Sequence, residues 1–263
     1  MVFIHTQFTQ LCRSSAVRVL GCLVAILAAV TNSHAEEVRV AVAANFAAPM
    51  KLIASNFETI SRHKVVLSVG STGKLYAQIK NGAPFDVFVS ADQATAAKLE
   101  QDGLAVANSR FTYATGRLAL WSAAPRLVDA QGAVLKSGSF NKLALASPAL
   151  APYGVAAMQT LSALGLEEAL KSKLVQGESI GQAYSFVATG NAELGLVALS
   201  QIMENGQLKS GSAWVVPGHL HSPLRQDALV LRSAQHPAAA LALAQYLKSP
   251  QVQALLRGYG YEP

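Results

Sequence analysis

From Val38 onward, short apolar runs rich in β-branched residues alternate with segments of helical pattern. Val38 to Ala43 (VRVAVA), Lys64 to Ser68 (KVVLS) and Phe85 to Ser90 (FDVFVS) read as strands. Ala47 to Ile60, Gly73 to Lys80 and Gln93 to Asp102 read as the helices that follow them. Strands separated by helices of about ten residues predict βαβ units. The fold class is therefore α/β, with mostly parallel sheets flanked by helices.

From Arg117 the texture continues with new elements. Arg117 to Ala123, Lys142 to Pro148, Lys173 to Gln176 and Leu194 to Ser200 read as strands, and Val155 to Leu164 and Ile180 to Thr189 as helices. A stretch rich in Pro, His and Ser, Pro217 to Pro223, precedes a short strand at Ala228 to Leu231. Helices at Pro237 to Lys248 and Pro250 to Arg257 close the chain. The strands fall into two groups around Tyr113 to Leu118, so two lobes are expected. Residues 36–117 form the first part of lobe one, 118–223 lobe two, and 224–263 a return to lobe one.

The first 35 residues read as an export signal. Arg13 and Arg18 precede an apolar run, Val19 to Val30, and Ser33-His34-Ala35 sets small residues at the −3 and −1 positions before Glu36. The run spans about 18 Å as a helix, too short for a hydrocarbon core of about 30 Å. Both cysteines, Cys12 and Cys22, lie in this leader. Cleavage after Ala35 leaves no thiolate for a metal or a nucleophile, and a periplasmic protein without disulfides is expected. Cleavage also removes Arg13 and Arg18, leaving 19 basic and 15 acidic residues, a net of +4. The charge is dispersed, and no dense basic tract points to nucleic acid.

One local pattern recurs four times: a strand ends, small or polar residues follow, and a helix begins. The four turns are Ala43-Ala44-Asn45-Phe46, Gly70-Ser71-Thr72-Gly73, Ala151-Pro152-Tyr153-Gly154 and Gly177-Glu178-Ser179-Ile180-Gly181. Each offers free backbone N–H groups at the positive end of a helix dipole, where an anion is favoured. Such turns lie at the carboxyl ends of strands, where ligands of open α/β sheets sit. Asn45, Ser71, Thr72 and Ser179 are also ordinary helix caps. Two turns per predicted lobe point to one shared site.

Several segments carry a family resemblance: VAVAANF, GSTGKLYAQIKNGAPFDVFVSADQ, RFTYATGRLALWS, ALASPALAPYGVAAMQTLSALG, ESIGQA, ELGLVALSQI and YLKSPQVQALLRGYGY. Through them the chain resembles the periplasmic molybdate-binding proteins of ABC transporters. The resemblance implies a two-lobed periplasmic-binding-protein fold linked by crossing strands, with molybdate or tungstate held between the lobes. It points to Asn45 with Ala44 at the first turn, and to Thr72 with Ser71 at the second. From the other lobe it points to Tyr153, through its N–H and hydroxyl, and to the Ile180 N–H. Many relatives carry a hydroxyl at the position of Ala44, and another branch takes a tyrosine where this chain has Ala198. The implied partners are an inner-membrane permease and its ATPase. The protein is expected to be a monomer that uses no cofactor, its metal arriving as an oxyanion and not bound directly by side chains.

None of these positions is charged, which suits a fully deprotonated dianion and offers no acceptor for the O–H of a protonated phosphate. Each helix start contributes roughly 0.3–1 kcal/mol and each hydrogen bond to a charged group roughly 1.5–3 kcal/mol. Several together offset dehydration of the ion. Sulfate fits the same donors, so it stands as the alternative ligand.

An enzyme is the rival class. Gly177-Glu178-Ser179-Ile180-Gly181 matches a G-x-S-x-G nucleophile elbow, and Asp227 and His236 follow in hydrolase order. Those two are close in sequence, and no HGGG-type segment precedes. A cytoplasmic sensor is the third class, opposed by the leader. The Gly70 to Lys74 turn lacks the Walker pattern, with Ser68 and Leu75 at the required positions. His219 and His221 alone make no metal site. Asp86 and Asp92 read as turn or cap residues, and Trp121 and Trp214 as packing residues.

Overall fold

The computed structural model describes residues 35–262. The leader, with Cys12, Cys22 and the apolar run, lies outside the described residues, and no described helix is long and apolar enough to cross a membrane.

Strand β1 (Glu37–Ala43) leads through a 3-10 turn, Ala44–Phe46, into α1 (Ala47–Ser61). Then come β2 (Lys64–Gly70), α2 (Thr72–Lys80), β3 (Val87–Val89), α3 (Gln93–Gln101) and β4 (Phe111–Gly116). The chain crosses at Arg117 into β5 (Leu118–Ser122), α4 (Val134–Ser137), β6 (Leu143–Ala146), α5 (Pro152–Ala163) and α6 (Glu167–Leu170). It continues through β7 (Leu174–Gly177), α7 (Ile180–Ala188), β8 (Leu194–Ala198) and α8 (Leu199–Ile202). A small hairpin, β9 (Met203–Glu204) and β10 (Gln207–Leu208), precedes β11 (Ser212–Val215). The chain returns through β12 (Leu224–Val230) to α9 (Pro237–Leu247) and α10 (Pro250–Gly258).

Two five-stranded sheets result, ordered β2-β1-β3-β12-β4 and β11-β5-β8-β6-β7. The pairings leave four strands of each sheet pointing one way. The reversed strand is β12 in lobe one and β5 in lobe two, each entered directly from the other lobe. β1 and β8 lie inside their sheets; β8 is apolar throughout and β1 from Val40 onward, as strand segments covered on both faces must be.

The predicted strands of lobe one are found, with β4 added. In lobe two the pattern missed β11, and it placed the start of α5 at Val155 although Pro152 occupies the first turn, where its missing N–H costs nothing. The expected strand at Ala228 is longer and begins at Leu224, because the polar pair Gln226 and Asp227 interrupts the apolar run while staying in the sheet. Gly154 lets α5 start against the end of β6: a Cβ there would stand 2.3 Å from the Ala146 carbonyl oxygen.

Candidate functional site

Register brings the four turns together. Ala43 pairs with Gly70 at the ends of β1 and β2, and Ala146 with Gly177 at the ends of β6 and β7. The turns that leave these strand ends face one another across the lobes. They line one small cavity. Ala44, Asn45, Ser71, Thr72, Tyr153 and Ile180, the six residues singled out from the sequence, all line it. Ala43, Ala91, Ala151 and Pro152 complete the wall, and none of the ten is charged.

The lobes stand closed around this cavity. Gly73 N–H of α2 donates to Leu150 O across the cleft at 2.9 Å. Ser200 Oγ at the start of α8 donates to Asn45 O at 2.8 Å. Outside the cavity Lys74 pairs with Glu178 at 3.3 Å, both well exposed, a contact worth at most about 1 kcal/mol. A larger open groove along β2, α2 and α7 shares Ser71 with the cavity and holds that ion pair.

Ser179 caps α7, its side chain accepting from Gln182 N–H at 3.3 Å. Ser71 sits at the N-cap of α2 with no capping bond, and its buried Oγ has no partner. Thr72 Oγ1 accepts from Ala91 N–H at 3.2 Å, which leaves its own proton to give. Asn45 caps nothing: its Nδ2 donates to Gln226 Oε1 at 2.8 Å and to Tyr261 OH at 3.0 Å. Its Oδ1 is buried and unpartnered. Tyr153 and Ile180 sit in the first turns of α5 and α7, where N–H groups have no partner within the helix.

Sequence reasoning missed the buried network behind the cavity. Tyr113 OH touches Gln226 Oε1 at 2.7 Å and Ser90 O at 2.9 Å, and Gln226 Nε2 donates to Tyr153 OH at 3.1 Å. Tyr261 OH lies 3.1 Å from both Asn45 O and Ser200 Oγ. Burial pushes the phenols of Tyr113, Tyr153 and Tyr261 well up, so all three keep their protons. Gly116 makes room, since a Cβ there would fall 2.1 Å from Tyr153 OH. The one signal in the sequence is Gln226 itself, a polar residue within an apolar strand.

The other candidates do not converge. Among the described residues no hydrogen bond joins Ser179, Asp227 and His236. Asp227 is buried among Arg110 (2.7 Å), Thr112 (2.7 Å) and Gln93 (3.1 Å), and His236 faces Glu36 at 3.5 Å. His221 Nδ1 lies 2.8 Å from Ser222 O, and no group of three His, Cys, Asp or Glu among the described residues is placed to hold a metal. Asp92 caps α3 through Thr95 N–H at 2.7 Å. Asp86 ties Arg39 N–H and Gln235 N–H, each at 2.7 Å. Trp121 stacks on Tyr184.

Residues 38–262 match the family of bacterial extracellular solute-binding proteins. The chain belongs to that family. It is 58% identical over 229 residues to the molybdate-binding protein ModA of Azotobacter vinelandii, covering 87% of this chain and 91% of the relative. It is 44% identical over 256 residues to the protein of that name from Rhodobacter capsulatus, covering 97% and 98%. The solved periplasmic molybdate-binding protein of Azotobacter vinelandii superposes with a TM-score of 0.84 at 41% identity, over 86% of this chain and 99% of that one. This solute-binding protein therefore has the two-lobed periplasmic-binding-protein fold.

Proposed function

We propose that this protein binds molybdate, and tungstate by the same geometry, in the neutral cavity between its lobes and delivers it to an ABC permease. The observation that carries the reading is the convergence of Ala44, Asn45, Ser71, Thr72, Tyr153 and Ile180 on one uncharged cavity at four helix starts, in a chain 58% identical to a molybdate-binding protein. Asn45, Ser71 and Thr72 act through side chains, Tyr153 and Ile180 through backbone N–H groups, and Ala44 through its backbone alone. The protein works in the periplasm as a monomer after loss of residues 1–35, and the permease's ATPase partner powers uptake. Lobe one comprises 36–117 and 224–263 and lobe two 118–223, a division supported by the sheet to which each strand belongs. Binding is its whole task. The use of Ser179 as a helix cap and the separate ties of Asp227 and His236 support a protein without hydrolase chemistry.

Calorimetry tests the reading. Molybdate and tungstate are expected to bind tightly, and phosphate weakly or not at all. Sulfate, with the same charge but a smaller radius, measures how far cavity size selects. Tight phosphate binding beside silent molybdate would defeat the proposal.

A further inference from the structure

Gln226 is fully buried in β12, and its amide touches both lobes. Oε1 accepts from Asn45 Nδ2 at 2.8 Å and lies 2.7 Å from Tyr113 OH, while Nε2 donates to Tyr153 OH at 3.1 Å. The register of β12 against β4 shifts between Gln226 and Asp227, a bulge of the kind that re-aims side chains. Asp227 goes to Arg110, Thr112 and Gln93, and Gln226 to the network behind the cavity.

The donors and acceptors of this network are mismatched at the cavity. Both amide protons of Asn45, a residue that lines the cavity, are spent on Gln226 and Tyr261, so its remaining polar side-chain atom is Oδ1, a buried acceptor without a partner among the described residues. An acceptor is the wrong pole to offer an oxyanion, and a buried one left unpaired is costly. Turning the Asn45 amide alone would set Oδ1 against Gln226 Oε1, two acceptors in contact. Turning both amides together resolves every contact. Gln226 Nε2 then donates to Asn45 Oδ1 and the Tyr113 oxygen, and Tyr113 keeps its bond to Ser90 O. Tyr153 gives its proton to Gln226 Oε1, Tyr261 gives its proton to Asn45 Oδ1, and the Asn45 N–H groups are released.

We propose that Gln226 is a positioning residue of the anion site: its amide and that of Asn45 turn over as a pair when an oxyanion enters, so that Asn45 presents N–H to the ion. The inference rests on the oxyanion reading of the cavity. It adds a link between cargo and closure. The same turn changes Tyr153, on the first turn of α5 in lobe two, from acceptor to donor toward β12 of lobe one.

Wild-type calorimetry with sodium molybdate comes first; silence there defeats the functional reading and this inference with it. With binding established, nuclear Overhauser contacts of the Gln226 side-chain amide protons are followed in the whole protein. They are expected on the Tyr153 ring in free protein and on the Tyr113 ring at saturation with molybdate. Contacts that stay with Tyr153 at saturation, or already lie on Tyr113 without the ion, overturn the inference while the function stands. Gln226→Met, neutral and of similar volume, should bind molybdate roughly 10- to 100-fold more weakly. An affinity equal to wild type overturns it as well, and the wild-type spectra decide should that variant not fold.

Discussion

Lobe one brings Asn45, Ser71 and Thr72 to the cavity as side chains with hydrogen-bonding capacity to spare, whereas lobe two brings Pro152, Tyr153 and Ile180 at the bare backbone of two helix starts. Two serines make the contrast concrete. Ser71 and Ser179 are both extended N-cap residues, yet Ser179 caps its helix and Ser71 caps nothing. The same residue at the same helical position is structural in one lobe and left unpaired at the cavity in the other. Site assignment by residue type alone would treat them alike. A hydrogen-bond count separates them.

The comparison can be broken most sharply at Asn45. Asn45→Asp puts a negative charge against a dianion, and like charges about 4 Å apart repel by about 4 kcal/mol at an effective dielectric near 20. Calorimetry should show molybdate affinity falling by roughly 1000-fold or more. The next largest effect tests whether lobe two acts through its backbone. Ile180 is the first residue of α7, where the backbone tolerates proline and its N–H disappears together with the buried isoleucine side chain. Ile180→Pro should weaken molybdate roughly 10- to 100-fold, while Ile180→Val, which keeps the N–H, should stay within about twofold. Equal losses from both would mean that the side chain matters and the backbone does not.

The serine pair gives a smaller, crossed result. Ser71→Ala should reduce affinity roughly tenfold with little change in apo-protein stability. Ser179→Ala should cost about 1 kcal/mol in denaturant unfolding and leave affinity nearly unchanged. A reversed pattern would erase the distinction between the lobes. The smallest effect concerns pH. Burial raises the phenols of Tyr113, Tyr153 and Tyr261 above the ordinary tyrosine value of about 10. Their contribution is therefore fully present below about pH 10 and is lost above it, as the unfolded chain ionises and the folded one resists. Melting temperature should be indifferent to these groups from pH 6 to 9 and fall beyond about pH 10, and Tyr113→Phe should soften that fall.

Much of the site was legible because helix starts are local. A strand end, a small residue, a capping type and a helical pattern all fall within a few residues, so the four turns were readable from the chain, and the family resemblance picked out six of the ten residues that line the cavity. Gln226, Tyr261, Ser200 and Tyr113 were not. Asn45 meets Gln226 from 181 positions away and Tyr261 from 216. Strand β11 escaped for a related reason, since its short run SAWV has only partial burial to mark it.

By itself the sequence determined the α/β alternation and the four helix starts, because each depends on neighbours along the chain. The tertiary structure alone decided that the four turns share one cavity, that Ser179 caps while Ser71 does not, and that Asp227 and His236 stand apart from Ser179. It also decided which pole of the Asn45 amide is free. That depends on one buried glutamine in the strand returning from the other lobe, and hydrogen bonds between residues so far apart leave no periodic trace in the order of amino acids.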